Sequence, residues 1–98
     1  MMVKLGCLVR IEVKPGKAEE LEARLKAALP EIEGESGTTA WFAARLGPSS
    51  YVVFDVFPDE ASRQAHLDAG RIRLQQVADL FAAPPSLTPT DIIVAKLP

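Results

Sequence analysis

The sequence holds very little from which to build a cofactor site. In 98 residues there is one cysteine and one histidine. A single cysteine closes no internal disulfide, and one Cys with one His cannot complete a structural zinc site. No metal is therefore expected. No apolar run approaches the ~18–20 residues that span a bilayer, so no membrane association is expected. The N-terminus, MMVKLGCLVRIEVK, lacks a charged segment ahead of its apolar stretch and alternates like a strand. A secretory leader is not expected, and cytoplasmic placement follows. Charge of one sign is missing too. With 11 Lys+Arg against 13 Asp+Glu the net charge is −2, which offers no basic footprint to nucleic acid. There is no Gly-rich phosphate loop, GxSxG, HExxH or CxxC. What is present is a globular composition, 48% hydrophobic and 24% charged, at a length that suits a single domain over 1–98. Such a chain buries roughly 65% of its unfolded surface, enough to fold without a staple.

The chain reads as alternating strand and helix. From Val3 to Val13 apolar residues recur every second position, which marks a half-buried strand ended by Pro15-Gly16. From 17 to 33 the period changes: Ala18, Leu21, Leu25, Leu29 and Ile32 form the stripe of an amphipathic helix. Pro30 should kink it or end its regular part. Two β-rich stretches, Thr38–Leu46 and Ser50–Phe57, flank Gly47-Pro48-Ser49 and predict a hairpin. Asp59 is placed to cap a second helix whose buried face is marked by Ala61, Ala65 and Ala69. Gly70 should break that helix, with helical spacing resuming over 71–82. Pro84-Pro85 and Pro89 suggest an extended linker, and the IIVA segment within Asp91–Leu97 a final strand. The fold class is thus α+β: a ferredoxin-like split β-α-β-β-α-β, with a four-stranded antiparallel sheet and helices on one face.

That plan has a consequence for partners. The uncovered face of such a sheet should be polar. Yet the third strand carries Val52, Phe54 and Val56 on one side and Tyr51, Val53 and Phe57 on the other. A second apolar face on so small a domain calls for a covering surface, and a homodimer through the sheet is expected.

Few side chains offer chemistry. His66 alone titrates near neutrality unperturbed; it is either a boundary histidine bonded to backbone or water, or an acid/base lining a pocket. Asp55 interrupts the apolar strand YVVFDVF. It is either a structural ion-pair partner, with Arg45 or Arg63 within reach, or a pocket carboxylate. Trp41 and Tyr51 suit either a flat aromatic ligand or core and interface packing. Cys7, on the most apolar parity of the first strand, reads as an inert small hydrophobe. If the hairpin loop holds an even number of residues, position 42 opposes 55. Trp41 then shares a face with Val52, Phe54 and Val56, and Phe42 shares one with Asp55.

The segments VKPGK after the first strand, ESGTTAWFAARLG, and above all YVVFDVFPDEASRQAHL resemble the antibiotic biosynthesis monooxygenase family. The likeness runs from about Val9 to the final strand. Its most specific part is a carboxylate, an aromatic two residues on, then a turn and a helix with Ala and His-Leu; here these are Asp55, Phe57 and Ala65-His66-Leu67. The resemblance implies a dimeric α+β barrel with a pocket between helices and sheet in each subunit. Some relatives oxidise aromatic polyketides or quinols with O2 and neither metal nor flavin; others degrade haem. The chain departs from the haem-degrading pattern: it has no Asn at all, Phe57 stands where that branch has Trp, and Arg71 or a neighbour stands where it has a second His. Haem is therefore not expected, and the missing Asn also removes a residue that polyketide-oxidising relatives place beside their substrate.

The resulting expectation is a cofactor-independent monooxygenase acting on a phenolic, quinol or polyketide-like small molecule, with O2 as co-substrate. His66 would be the base and Arg45 or Arg71 the anion stabiliser. Phe42, Tyr51, Asp55 and Phe57 would line the substrate. The competing expectation is a non-catalytic binding or accessory dimer of the same fold.

Overall fold

The computed structural model describes residues 3–98; Met1 and Met2, which enter the reading of the N-terminus, lie outside them. The elements are β1 (Leu5–Glu12), α1 (Ala18–Glu33), β2 (Ala40–Arg45), β3 (Ser50–Phe57), α2 (Glu60–Gln76), a 3-10 turn at Ala78–Leu80 and β4 (Ser86–Asp91). The strands form one sheet in the order β2-β3-β1-β4, every neighbouring pair antiparallel. This is the ferredoxin-like α+β plan.

Local chemistry sets several boundaries. After β1 the chain turns at Pro15-Gly16, where Gly16 takes φ +79°, a conformation that costs a residue without a Cβ little. Asp59 caps α2 by accepting from the Ser62 amide at 2.8 Å. Pro30 lies inside α1, and the helix runs on to Glu33. Gly70 does not break α2, which is continuous to Gln76; a single glycine weakens a helix by only about 1 kcal/mol, and packing overrides it.

Three further expectations are corrected. The last strand is Ser86–Asp91, built from the stretch read as a linker. Pro89 is accommodated because β4 lies at the sheet's edge, whereas Ile93 of the IIVA segment is 92% exposed. Ala61 and Ala65 are exposed, and the inward face of α2 runs instead through Arg63, His66, Leu67, Gly70, Arg73 and Leu74. The third correction is register. Arg45 pairs with Tyr51, leaving five residues in the turn, so Trp41 opposes Asp55 and Phe42 opposes Phe54. One residue of slip exchanges the faces of a whole strand: Trp41 turns to the helices, Phe42 away.

The core lies between the helices and the odd-numbered positions of the central strands. Cys7, Val9 and Ile11 of β1 and Tyr51, Val53 and Phe57 of β3 pack with Leu21 of α1 and with Val77, Leu80 and Phe81. The opposite sheet face keeps apolar side chains at least partly open: Phe42 is 60% exposed, and Leu8, Val52 and Phe54 are half-buried.

Candidate functional site

Between the helices and the sheet lies a half-open cavity of about 250 Å³. Its walls are largely apolar, from Val9, Ile11 and Val53 on the sheet to Leu21, Leu25 and Leu74 on the helices, with Trp41 beside them. The polar lining residues are the buried Asp55 and His66, three arginines, Glu31 and Gln76.

Asp55 is 1% exposed. It stands in a central strand, directly across from Cys7 on β1 and from Trp41 on β2. A carboxylate so placed must find a partner. That partner is neither Arg45 nor Arg63 but His66, whose Nε2 lies 2.9 Å from Asp55 Oδ2. Arg63 instead donates to the backbone carbonyls of Gly6 and Thr90, at 3.1 and 3.2 Å. The other ring nitrogen of His66, Nδ1, lies 2.6 Å from Glu35 Oε1. An imidazole can donate from both nitrogens at once only when protonated. Burial works against that charge, but the two flanking carboxylates outweigh it and hold the His66 pKa above its ordinary 6.5. His66 is thus biased toward its protonated form between two carboxyl groups, and the Phe57 ring packs 5.4 Å away, tilted at 43°.

The chain of charges continues outward. Glu35 accepts from Thr38 Oγ1 at 2.7 Å and pairs with Arg73 at 3.0 Å; Arg73 also approaches Glu31 at 3.5 Å. Burial pushes the Glu35 pKa up, yet the hydrogen bonds from His66, Thr38 and Arg73 together hold it below the usual 4.5. Glu35 reaches His66 because the loop leaving α1 lies against α2. A Cβ on Gly37 would come within 2.6 Å of Ser62 Oγ. Ser62 and His66 are one helical turn apart, so docking Gly37 on the first brings Glu35 to the second.

One atom of this assembly has no partner. Asp55 Oδ1 is buried and accepts no hydrogen bond, although its residue lines the cavity. Nearby, burial first and the Asp55 charge second push the Cys7 thiol up to about 11, which keeps it a protonated, unreactive thiol. Among the described residues no group of three or more His, Cys, Asp or Glu side chains could hold a metal ion.

The family model for antibiotic biosynthesis monooxygenases matches residues 5–74. The chain belongs to that family. The matched span runs from β1 into the last turns of α2 and includes Glu35, Trp41, Asp55, His66 and Arg73. Among solved structures, a protein of unknown function from Nitrosomonas europaea is 46% identical with a TM-score of 0.92, covering 99% of this chain and 96% of that one. A proposed antibiotic biosynthesis monooxygenase of Caulobacter crescentus CB15 is 17% identical with a TM-score of 0.81, covering 95% and 92%. A conserved protein of Methanosarcina mazei Go1 is 18% identical with a TM-score of 0.80, covering 91% and 92%. At the latter identities the likeness is one of fold. No curated protein matches the chain.

Within this family framework the residues singled out from the sequence divide. Asp55, His66 and Arg71 line the cavity, as does Trp41. Phe42 does not: it lies on the opposite sheet face, for the register reason given above. Tyr51 shares the inward face but is spent elsewhere, its hydroxyl donating to Glu22 Oε2. Arg45, at the end of the edge strand, pairs with the same Glu22 through Nε and Nη2, at 2.7 and 2.6 Å. These bonds, the arginine's first and the tyrosine's second, lower the Glu22 pKa to about 2. Phe57 is fully buried and backs His66 rather than lining the space. Glu35 and Arg73 escaped the sequence reading, because a glutamate in a loop and an arginine on a helix carry no pattern that separates them from solvated charges. Arg24 escaped it as well; it too lines the cavity.

Proposed function

We propose that the protein is a cofactor-independent monooxygenase for a phenolic or quinol small molecule, with Asp55 receiving the substrate's hydroxyl. The observation that carries this reading is the partnerless, buried Oδ1 of Asp55, a residue that lines an apolar cavity together with Trp41. An orphaned buried acceptor is costly, and a ligand hydroxyl would relieve it. The sequence placed His66 as the base. With both ring nitrogens engaged by carboxyl groups it has no free nitrogen to offer a substrate, so the proton acceptor in this proposal is Asp55. His66 fixes the orientation of that carboxylate, and Glu35 and Arg73 fix His66. Arg71 remains a candidate for stabilising substrate anion, and Arg45, committed to Glu22, does not.

The chemistry asks little more of the chain. A phenol or hydroquinone that gives its proton to Asp55 becomes an electron-rich anion, and that anion is itself the reductant of O2. Electron transfer and coupling put O2 on a ring carbon as a hydroperoxide. Loss of water then leaves one oxygen on the ring. The apolar walls keep bulk water away from the intermediates. Neither haem nor a transition metal has a place in this proposal, because both nitrogens of the single histidine are already engaged. The working unit we propose is a homodimer joined through the outer sheet face.

A binding or accessory role is the second reading, favoured by the fact that His66 and Asp55 are paired to each other. Oxygen uptake with a panel of hydroquinones and anthrones decides between them. Uptake by the wild type that falls at least about a hundredfold in Asp55→Asn supports the enzyme. No uptake across the panel, alongside saturable quenching of Trp41 by the same compounds, supports the binder.

A further inference from the structure

The charges lining the cavity run against those of the chain. The protein carries a net −2, yet the cavity is lined by three arginines, Arg24, Arg71 and Arg73, together with His66, against two carboxylates, Glu31 and Asp55. His66 is matched by Asp55 and Glu35, and Arg73 by Glu35 and Glu31. Two arginines are left over. Arg24 has no ion-pair partner among the described residues, and Arg71 has only a contact at 3.9 Å to exposed Asp68. They come from different helices, Arg24 from α1 and Arg71 from α2, and both are exposed at the cavity's opening. Unmatched cations bordering an apolar cleft raise a positive potential there.

Size and orientation follow. A cavity of about 150 Å³ holds benzene, so one of about 250 Å³ takes one ring or two, not the three or four of a large polyketide. A carboxylate entering first would approach the buried Asp55 carboxyl group and be repelled as a like charge. A hydroxyl would be accepted there.

We infer that the ligand is a one- or two-ring hydroxylated aromatic carboxylate, its hydroxyl turned inward to Asp55 and its carboxylate held at the rim by Arg24 and Arg71. The inference rests on the proposed site for the ligand's orientation, and its test does not depend on turnover. Calorimetric titration of the full chain with 6-hydroxy-2-naphthoate, 2-naphthol and 2-naphthoate reads it directly. The hydroxynaphthoate should bind about tenfold tighter than 2-naphthol, the summed effect of two partly solvated charge contacts. That advantage should vanish in the Arg24→Gln/Arg71→Gln double variant, whose substitutions are on the surface and spare the fold. It should shrink as salt rises from about 0.05 to 0.5 M, while 2-naphthol is unaffected. The 2-naphthoate, lacking the inward hydroxyl, should bind more weakly than the hydroxynaphthoate. Equal affinity for 2-naphthol and the hydroxynaphthoate, an advantage that survives in the double variant, or no binding of the hydroxynaphthoate at millimolar concentration overturns the inference. Oxygen uptake with neutral hydroquinones but no carboxylate advantage overturns it while leaving the oxygenase reading in place. An arginine-dependent advantage without uptake does the reverse.

Discussion

His66 couples the stability of the fold to pH. Its folded-state pKa is raised, so the stability it contributes is complete below about 6.5 and is lost as pH rises through the folded value. Glu35 has the opposite sign: its pKa is lowered, so its contribution is present above about 4.5 and fades as pH falls through its folded value. The melting temperature should therefore be highest between those limits. His66→Gln should remove the decline on the alkaline side. It should also cost about 3 kcal/mol near pH 6, because it leaves Asp55 buried without its cation; for a domain of this size that lowers the melting temperature by more than about 10 °C. Thermal denaturation of both proteins from pH 4 to 9 checks this. The sequence made His66 and Asp55 conspicuous, one as the single histidine and the other as the charge in an apolar strand. It did not pair them, because the pairing depends on which turn of α2 lies over which residue of β3. The role of His66 was not legible for the same reason: a histidine's protonation state is set by its neighbours, and neither Asp55 nor Glu35 is paired with it in the sequence pattern.

At the level of elements, the α1–β2 loop is what completes the site. Gly37 lets its backbone lie against Ser62, and a Cβ would fall within 2.7 Å of the Ser62 Cβ as well as close to its hydroxyl. Gly37→Ala should push the loop off α2 and withdraw Glu35 from His66. We expect a loss of about 1–3 kcal/mol in denaturant unfolding and a His66 pKa, followed by NMR titration, that moves down toward 6.5. Unchanged titration would mean that the loop is not held by this contact. α1 and the first three strands were legible because their periods of 3.6 and 2 are written into the apolar residues, whereas for α2 the alanines at 61, 65 and 69 pointed to the wrong face and Gly70 to a break that packing overrides. β4 was not legible, because Pro84, Pro85 and Pro89 imitate a linker and Leu87 is the one large apolar side chain among its six residues. The β2–β3 register escaped for a subtler reason. Both parities of each strand are apolar, so the pattern cannot choose between pairings that differ by one residue, and the turn decides.

For the whole molecule, the doubly apolar sheet remains the strongest pointer to assembly. Phe42 is 60% exposed and Leu46 54%, beside half-buried Phe54 and Val52 on the same face. Phe42→Lys should shift the protein toward the monomer in sedimentation velocity while preserving its circular dichroism, since the side chain supports no core contact in the single chain. A wild type that sediments as a monomer at high micromolar concentration would refute the dimer. Association by this face must compete with association by the sheet's two rims, and there Pro89 has a further effect. It sits in the rim strand β4 and brings no amide hydrogen, so a strand arriving from another molecule finds a gap in the row of donors it needs. Stacking of chains rim to rim into open-ended fibres is thereby discouraged, whereas the proposed pairing of sheet faces would be closed, since two copies can occupy that surface only once.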